Sequence, residues 1–212
     1  MPDERSYYRT RFTPSGSRGE VWEHIARYLQ RWVDADGAVL DLGAGYGDLG
    51  RAIHARRRVA FDANPDLAEL VEAPIEAAVG DVTDLSRFAD GEFATVFASN
   101  LLEHLPWEQV DRCVAEVQRV LSPGGRFVVV QPNFRLAPRR YFDDYTHRTI
   151  FTDQSLVDYL AASGFAVEHV EARFLPLTMR SRLSFGHMLV PLYLRLPWRP
   201  LAGQMLVVAS RP

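Results

Sequence analysis

Asp41 ends a short apolar run and is followed by glycines at 43, 45 and 47, within Val39-Leu-Asp-Leu-Gly-Ala-Gly-Tyr-Gly47. Lacking a Cβ, glycine reaches positive φ and lets a ligand lie against the main chain. A helix opening after Gly47 would turn its free N–H groups and positive dipole end toward that ligand. The combination reads as a nucleotide- or nucleoside-binding turn. Asp62, Asp81 and Asn100 stand at the ends of further apolar runs. A carboxylate at Asp62 can accept hydrogen bonds from both hydroxyls of a ribose, or cap the helix expected beyond Pro65. A histidine can change charge near neutral pH, which makes His104 a candidate general base; the alternative is a hydrogen-bonded histidine that orients the Glu103 loop. Glu103 itself reads as scaffold or as a partner of neighbouring main chain. Residues 134–151 crowd Arg135, Arg139, Arg140, Tyr141, Asp143, Asp144, Tyr145, His147 and Arg148 into one connection. Loops of that length usually serve a site. His147 and Asp144 join His104 as catalytic candidates, and Tyr141, Tyr145 and Arg148 are the expected substrate contacts. His147 could also be structural, and Asp143 and Asp144 could be solvated partners of nearby arginines.

Composition removes several chemistries. Every one of the 24 basic residues is arginine. A phosphate-loop lysine, a Schiff-base lysine and a lysine general base are therefore excluded. The single cysteine, Cys113, excludes a disulfide framework and any cysteine metal cluster, and no metal-ligand set is read from the sequence. No signal-like apolar start and no run of membrane-spanning length is present, so a cytoplasmic location is expected. No acid follows Glu171, whereas arginines continue at 173, 180, 182, 195, 199 and 211. The body of the chain is net acidic, which argues against general nucleic-acid binding.

These residues need elements to hold them. Apolar spacing predicts a helix over 19–33, a strand over 38–42, a helix from Gly47 to about 55, and a strand over 59–61. A helix starting at Asn64-Pro65, a strand over 77–79 and a buried central strand over 93–98 follow. Pro106 begins a helix carrying Val110, Val114, Val117 and Val120; Ser122-Pro-Gly-Gly125 breaks it, and 126–130 is a fifth strand. A helix over 153–163 stops at Gly164, and 165–174 and 205–210 are the last strands. Such alternation predicts one α/β, Rossmann-like doubly wound sheet of about seven strands with helices on both faces. Residues 1–18 read as a mobile arm before a single domain over 19–212.

The glycine pattern alone leaves two cofactors open. Gly45-Tyr-Gly-Asp-Leu-Gly50 also satisfies the dinucleotide fingerprint. Against it, the turn is longer than the dinucleotide one, and Asp41 and Asp48 bracket it, which suits a cationic sulfonium and ammonium better than a diphosphate. Taken in order, five segments resemble the core of the class I S-adenosylmethionine-dependent methyltransferases, small-molecule branch. They are Val39–Gly47; Asp62; Gly80-Asp-Val82; Ser99-Asn-Leu-Leu-Glu-His-Leu105; and Leu121–Phe127 with Thr152–Phe165. The resemblance covers about residues 38–166, and Gly203–Ala209 fits its closing antiparallel strand. It implies S-adenosyl-L-methionine as cofactor, with Gly43, Ala44, Gly45, Tyr46 and Gly47 around the methionine part. It implies Asp62, beside Ala63, on the ribose, Asp81 and Val82 beside the adenine, Asn100 and Leu101 near the methionine ammonium, and Asp41 orienting that ammonium. The activity implied is methyl transfer to a small molecule, saccharide or lipid-like. An NAD(P)-dependent oxidoreductase and a catalytically inactive S-adenosylmethionine-binding protein remain alternatives.

Residues 174–200 depart from the minimal pattern. They are strongly apolar, with interspersed arginines and prolines. Three readings stand: a lid over the acceptor pocket, a membrane-surface patch with arginines toward anionic headgroups, and a homo-oligomer contact or ordinary core.

Overall fold

The computed structural model describes residues 16–177 and 186–212, with side chains from 18–177 and 188–212. The arm residues 1–15 and the Arg180, Arg182 and Leu183-Ser-Phe portion of the apolar segment lie outside the described residues.

Seven strands form one sheet: β1 (Ala38–Leu42), β2 (Arg57–Asp62), β3 (Ile75–Val79), β4 (Phe93–Ser99), β5 (Leu121–Pro132), β6 (Ala166–Glu171) and β7 (Gln204–Ser210). Their order is β3-β2-β1-β4-β5-β7-β6. The strands from β3 to β5 pair in parallel, and β7 runs antiparallel to both β5 and β6. β1 is buried along its whole length, as a central parallel strand covered on both faces requires. The chain winds outward from β1 to β3 and then returns to β4 on its other side. The crevice for a ligand therefore lies beyond the carboxyl ends of β1 and β4.

Helices cover both faces. α1 (Gly16–Leu29) places Val21, Trp22, Ile25, Ala26 and Leu29 against Phe97, Val128 and Val130. It begins three residues earlier than the apolar spacing alone suggests, and ends in a single 3-10 turn, Gln30–Trp32. α2 (Asp48–Ala52) and α3 (Leu67–Leu70) are one-turn pieces, shorter than their periodicity predicts. On the opposite face, α4 (Trp107–Val120) buries Val110, Cys113, Val114, Val117 and Val120, one stripe at helical spacing. Its last residue runs directly into β5, and Ser122-Pro-Gly-Gly125 appears there as a register shift against β4, not as a gap before the strand. α5 (Asp153–Ala162) opens on a capping box in which Thr152 and Ser155 satisfy each other's main-chain N–H. It closes at Gly164, held at φ 88. α6 (Val190–Arg195) sits in the segment between β6 and β7 and sends Leu194 into the α1 face.

β7 begins where β5 ends, since Pro132 pairs with Gln204, and β6 ends on the same side. The connection from 172 to 203 therefore leaves and re-enters the sheet at the edge that carries the crevice.

Candidate functional site

The turn after β1 is fixed by main-chain geometry. Gly43, Gly45 and Gly47 take φ values of 73, 56 and 69. The Gly43 and Ala44 N–H groups donate to the Phe61 carbonyl at 2.8 and 3.1 Å, which ties the loop to β2. A Cβ on Gly47 would lie 2.3 Å from Val71 Cγ1, and one on Gly43 would lie 3.0 Å from Leu101 Cδ1. Leu101 and the turn are thus in contact across the crevice.

Asp62 is buried at the end of β2. Its carboxylate accepts the Gly45 N–H at 2.8 Å and the Asn64 N–H at 2.9 Å. It is therefore a clasp between β2 and the turn and does not cap α3, the alternative its position left open. Asp41 is also buried, and burial together with the nearby Asp62 and Asp48 pushes its carboxyl up to about 8. Asp48 is compensated: Arg18 donates to it and Arg51 lies 3.7 Å away. The Arg18 guanidinium also stands 5.7 Å from the centre of the Tyr46 ring, a covering contact that no local sequence signal announces. Asp41 carries most of the argument for a cationic ligand, because Asp48 is already paired.

At the other walls, Asp81 is exposed and its Oδ1 holds the Thr83 N–H and hydroxyl, while Val82 packs into the core. Asn100 has φ 51, an uncommon state for a non-glycine residue. Its N–H donates to the Val130 carbonyl at 2.8 Å, and its Oδ1 accepts from Gln204 Nε2 at 3.2 Å, linking β4, β5 and β7 at the crevice.

The 3-10 turn Leu102–His104 and the 134–151 loop meet in a second cluster. The Glu103 carbonyl accepts the Arg148 and Thr149 N–H groups at 2.8 and 3.1 Å, and the Thr149 hydroxyl donates to the Leu105 carbonyl. The loop is thereby docked under Glu103. His104 Nδ1 is 2.8 Å from the Thr146 hydroxyl, which in turn is 2.6 Å from Asp144 Oδ1. A carboxylate only accepts, so the hydroxyl gives its single proton to Asp144 and receives one from His104 Nδ1–H. This assigns the Nε2 nitrogen as the basic one, inferred from the network. The His104 and His147 rings lie 4.9 Å apart, and Tyr141 packs on His147 at 4.7 Å. Tyr141 is fully buried and gives its hydroxyl to the Thr149 carbonyl, so it meets the histidine pair through its ring contact with His147. Tyr145 is 61% exposed, and Arg148 is exposed as well.

Glu103 has the most unusual environment. Its side chain is fully buried, and burial with Asp144 nearby pushes its carboxyl up to about 8. Apart from its own main-chain N–H, no donor among the described residues reaches either oxygen. The sequence reads this residue as scaffold or as a partner of neighbouring main chain; its carbonyl docks the loop, and its carboxylate meets its own main-chain N–H. Thr146, the bridge between Asp144 and His104, went unread because a threonine beside two more reactive types carries no signal of its own.

Several known proteins resemble this chain in sequence profile or fold. Residues 39–125 match the sequence profile described as a methyltransferase domain. No curated protein sequence matches the chain. Among solved structures, the methyltransferase in the Haloferax volcanii complex with the Trm112 methyltransferase activator superposes with TM-score 0.71 at 18% identity, covering 93% of this chain and 92% of that one. A SAM-dependent methyltransferase from Archaeoglobus fulgidus gives 0.70 at 17%, covering 99% and 100%. One from Mesorhizobium loti gives 0.66 at 21%, covering 92% and 100%. At these identities the superpositions speak for the fold, and the domain match speaks for the chemistry. The turn fits the cofactor such proteins use, because an acid driven up by burial and by its acidic neighbours gains from an ammonium or sulfonium beside it. The domain match favours this cofactor over the dinucleotide alternative; the packing of Gly50 inside α2 against Ile75 suits either turn. Residues 39–125 thus carry the match to a methyltransferase domain, and the seven-stranded sheet built around them has the fold of the class I S-adenosylmethionine-dependent methyltransferases.

Proposed function

We propose that this methyltransferase acts on a hydroxyl group of a small-molecule acceptor, saccharide or lipid-like, bound between His104 and the 134–151 loop. The observation that carries the reading is the chain Asp144–Thr146–His104, which fixes one imidazole tautomer at the edge of the crevice. An amine or carbanion acceptor would have less need of such a device; a hydroxyl must lose a proton to become a good nucleophile. When bound, S-adenosylmethionine supplies a methyl group already activated on a sulfonium. The protein's work is then positioning, which can supply about 7–11 kcal/mol of the barrier, and activation of the acceptor.

In this reading Gly43, Ala44, Gly45, Tyr46 and Gly47 hold the methionine part and Asp41 its ammonium, with Asn100 and Leu101 beside it. Asp62 and Ala63 serve the ribose, and Asp81 and Val82 the adenine. His104 Nε2 presents the electron pair that activates the acceptor, Asp144 sets its direction through Thr146, and His147 and Tyr145 line the pocket. Apolar side chains are exposed on both segments that leave the sheet here. Phe142 and Tyr145 stand on the loop, and Leu192, Trp198 and Leu201 on the connection before β7. That rim supports an apolar or amphipathic acceptor and the lid reading of 174–200. No described helix is long and apolar enough to cross a membrane.

Calorimetry with S-adenosylhomocysteine, together with methyl-transfer assays on hydroxylated saccharides and lipid-like alcohols, tests the reading. His104→Ala should keep its affinity for S-adenosylhomocysteine within about twofold, while turnover falls by roughly 10²–10⁴. Turnover that survives the substitution, or a wild-type chain with no affinity for S-adenosylhomocysteine, overturns the proposal.

A further inference from the structure

Nothing above accounts for the Glu103 carboxylate. A fully buried acid with neither oxygen bonded to a donor side chain is costly in either protonation state. It also does not stand alone. Ligand-capable atoms of Glu103, His104 and His147 all lie within 4.8 Å of one another, with His104 Nε2 3.9 Å from Glu103 Oε1. Resting on the assignment of this pocket as the acceptor site, we propose that Glu103, His104 and His147 bind one divalent transition-metal cation that activates the acceptor oxygen.

Three features converge on this. First, the donor set of one carboxylate and two imidazoles suits zinc, manganese, cobalt or iron, whereas magnesium and calcium seek oxygen-only shells. Second, His104 is held as metal-binding histidines are. Its Nδ1–H is committed to Thr146, and through it to Asp144, which fixes the tautomer and turns Nε2 toward Glu103. A hydroxyl interposed between carboxylate and imidazole serves orientation; it does not neutralise the carboxylate opposite. Third, the cluster is assembled from two elements locked together, since the Glu103 carbonyl accepts the N–H groups of the two residues after His147. Bonds of about 2.1 Å put neighbouring ligand atoms roughly 3.0–3.4 Å apart. A closure of about an ångström, available from side-chain rotation at half-buried His104 and His147, would bring the set to bonding distance.

With three ligands supplied from one side, the remaining positions face the pocket. An acceptor hydroxyl bound there has its pKa lowered by the cation, and its proton leaves to solvent. With Nε2 engaged as a ligand, His104 would activate the acceptor by holding the cation and would not take the proton itself.

The test uses the full chain, stripped with chelator and dialysed. Manganese, cobalt, zinc and magnesium are added separately, and binding is followed by calorimetry, by thermal shift and, for cobalt, by its visible absorption bands. The expected result is one cobalt, manganese or zinc per chain, a rise of several degrees in Tm, and little response to magnesium. Glu103→Gln and His147→Ala should abolish stoichiometric binding. Thr146→Val, which leaves all three ligands in place, should weaken it about 10- to 100-fold. No binding by any of these cations, or binding unchanged in all three variants, overturns the metal site. S-adenosylhomocysteine affinity is measured in the same samples. If it persists while no cation binds, the metal proposal alone fails; if it is absent, the functional reading fails irrespective of the cation titration.

Discussion

Asp41 sits buried at the end of β1 with Asp62 and Asp48 as charged neighbours, so it favours its neutral form in the folded chain. An unfolded aspartate titrates near about 4, whereas the folded one titrates at about 8. Below the lower value both states hold the proton and stability is complete. As pH rises between the two values, the unfolded state gives up its proton first and stability is lost. Thermal melts of the ligand-free protein should therefore show a falling Tm from pH 5 to pH 8. Asp41→Asn should flatten part of that slope and melt higher than wild type at pH 8, with no gain at pH 4. The same substitution should weaken S-adenosylhomocysteine binding by roughly 1.5–3 kcal/mol, because its ammonium loses a charged partner. Gly47 is a second residue-scale test. A methyl there would lie 2.3 Å from Val71 Cγ1 on a backbone at φ 69. Gly47→Ala should cost about 1–3 kcal/mol in denaturant unfolding, more than a surface exchange would.

At the scale of elements, the 134–151 loop is held by polar contacts to the turn after β4. Thr146 is the piece that makes His104 directional. Thr146→Val keeps the volume and removes both the acceptor and the donor. Turnover should fall roughly 10- to 100-fold with the S-adenosylhomocysteine affinity unchanged, a split that a general loosening of the fold would not give. Strands such as β1, β2 and β4 were legible from the sequence because each carries a short apolar run ended by a polar residue or glycine, as at Asp62, whereas β6, Ala-Val-Glu-His-Val-Glu, alternates. The turn was legible because its glycines alternate at 43, 45 and 47 within one short segment. The short extents of α2 and α3 were not, because periodicity continues past the point where the main chain takes extended geometry, at Ile53 and at Val71. Nor were the partners that close the site. Thr146 meets His104 from 42 positions away, and Arg18 reaches Asp48 from 30. Spacing within one segment carries no information about such pairs.

Across the whole molecule, Arg199 ties regions most distant in sequence. It donates to Glu171 at the end of β6, to the Leu194 carbonyl of α6, and to the Tyr28 hydroxyl of α1, 171 positions earlier. Tyr28 also donates to Glu171. This anchors the connection before β7 on the α1 face, where Leu194 and Val190 pack, while Leu192, Trp198 and Leu201 stay exposed. The excess of arginine after Glu171 is thus explained in part by this buried pair and not wholly by an external surface. Removing one partner of a nearly buried pair strands the other. Arg199→Ala should destabilise by about 3–5 kcal/mol, and at roughly 2–4 °C per kcal/mol for a chain of this size Tm should fall by about 6–20 °C in calorimetry.

The place of β7 has a bearing on synthesis. It is the last of these seven strands to leave the ribosome, yet it is inserted between β5 and β6, pairing with both. Until residues 204–210 emerge, β5 presents an unpaired edge and β6 has no neighbour in the sheet, so five of the seven strands can pair, and the turn after β1 can form, before that side is closed. The nascent chain therefore passes through a stage in which the donor's cradle exists before the domain can close around it, and in which exposed strand edges invite association with other chains.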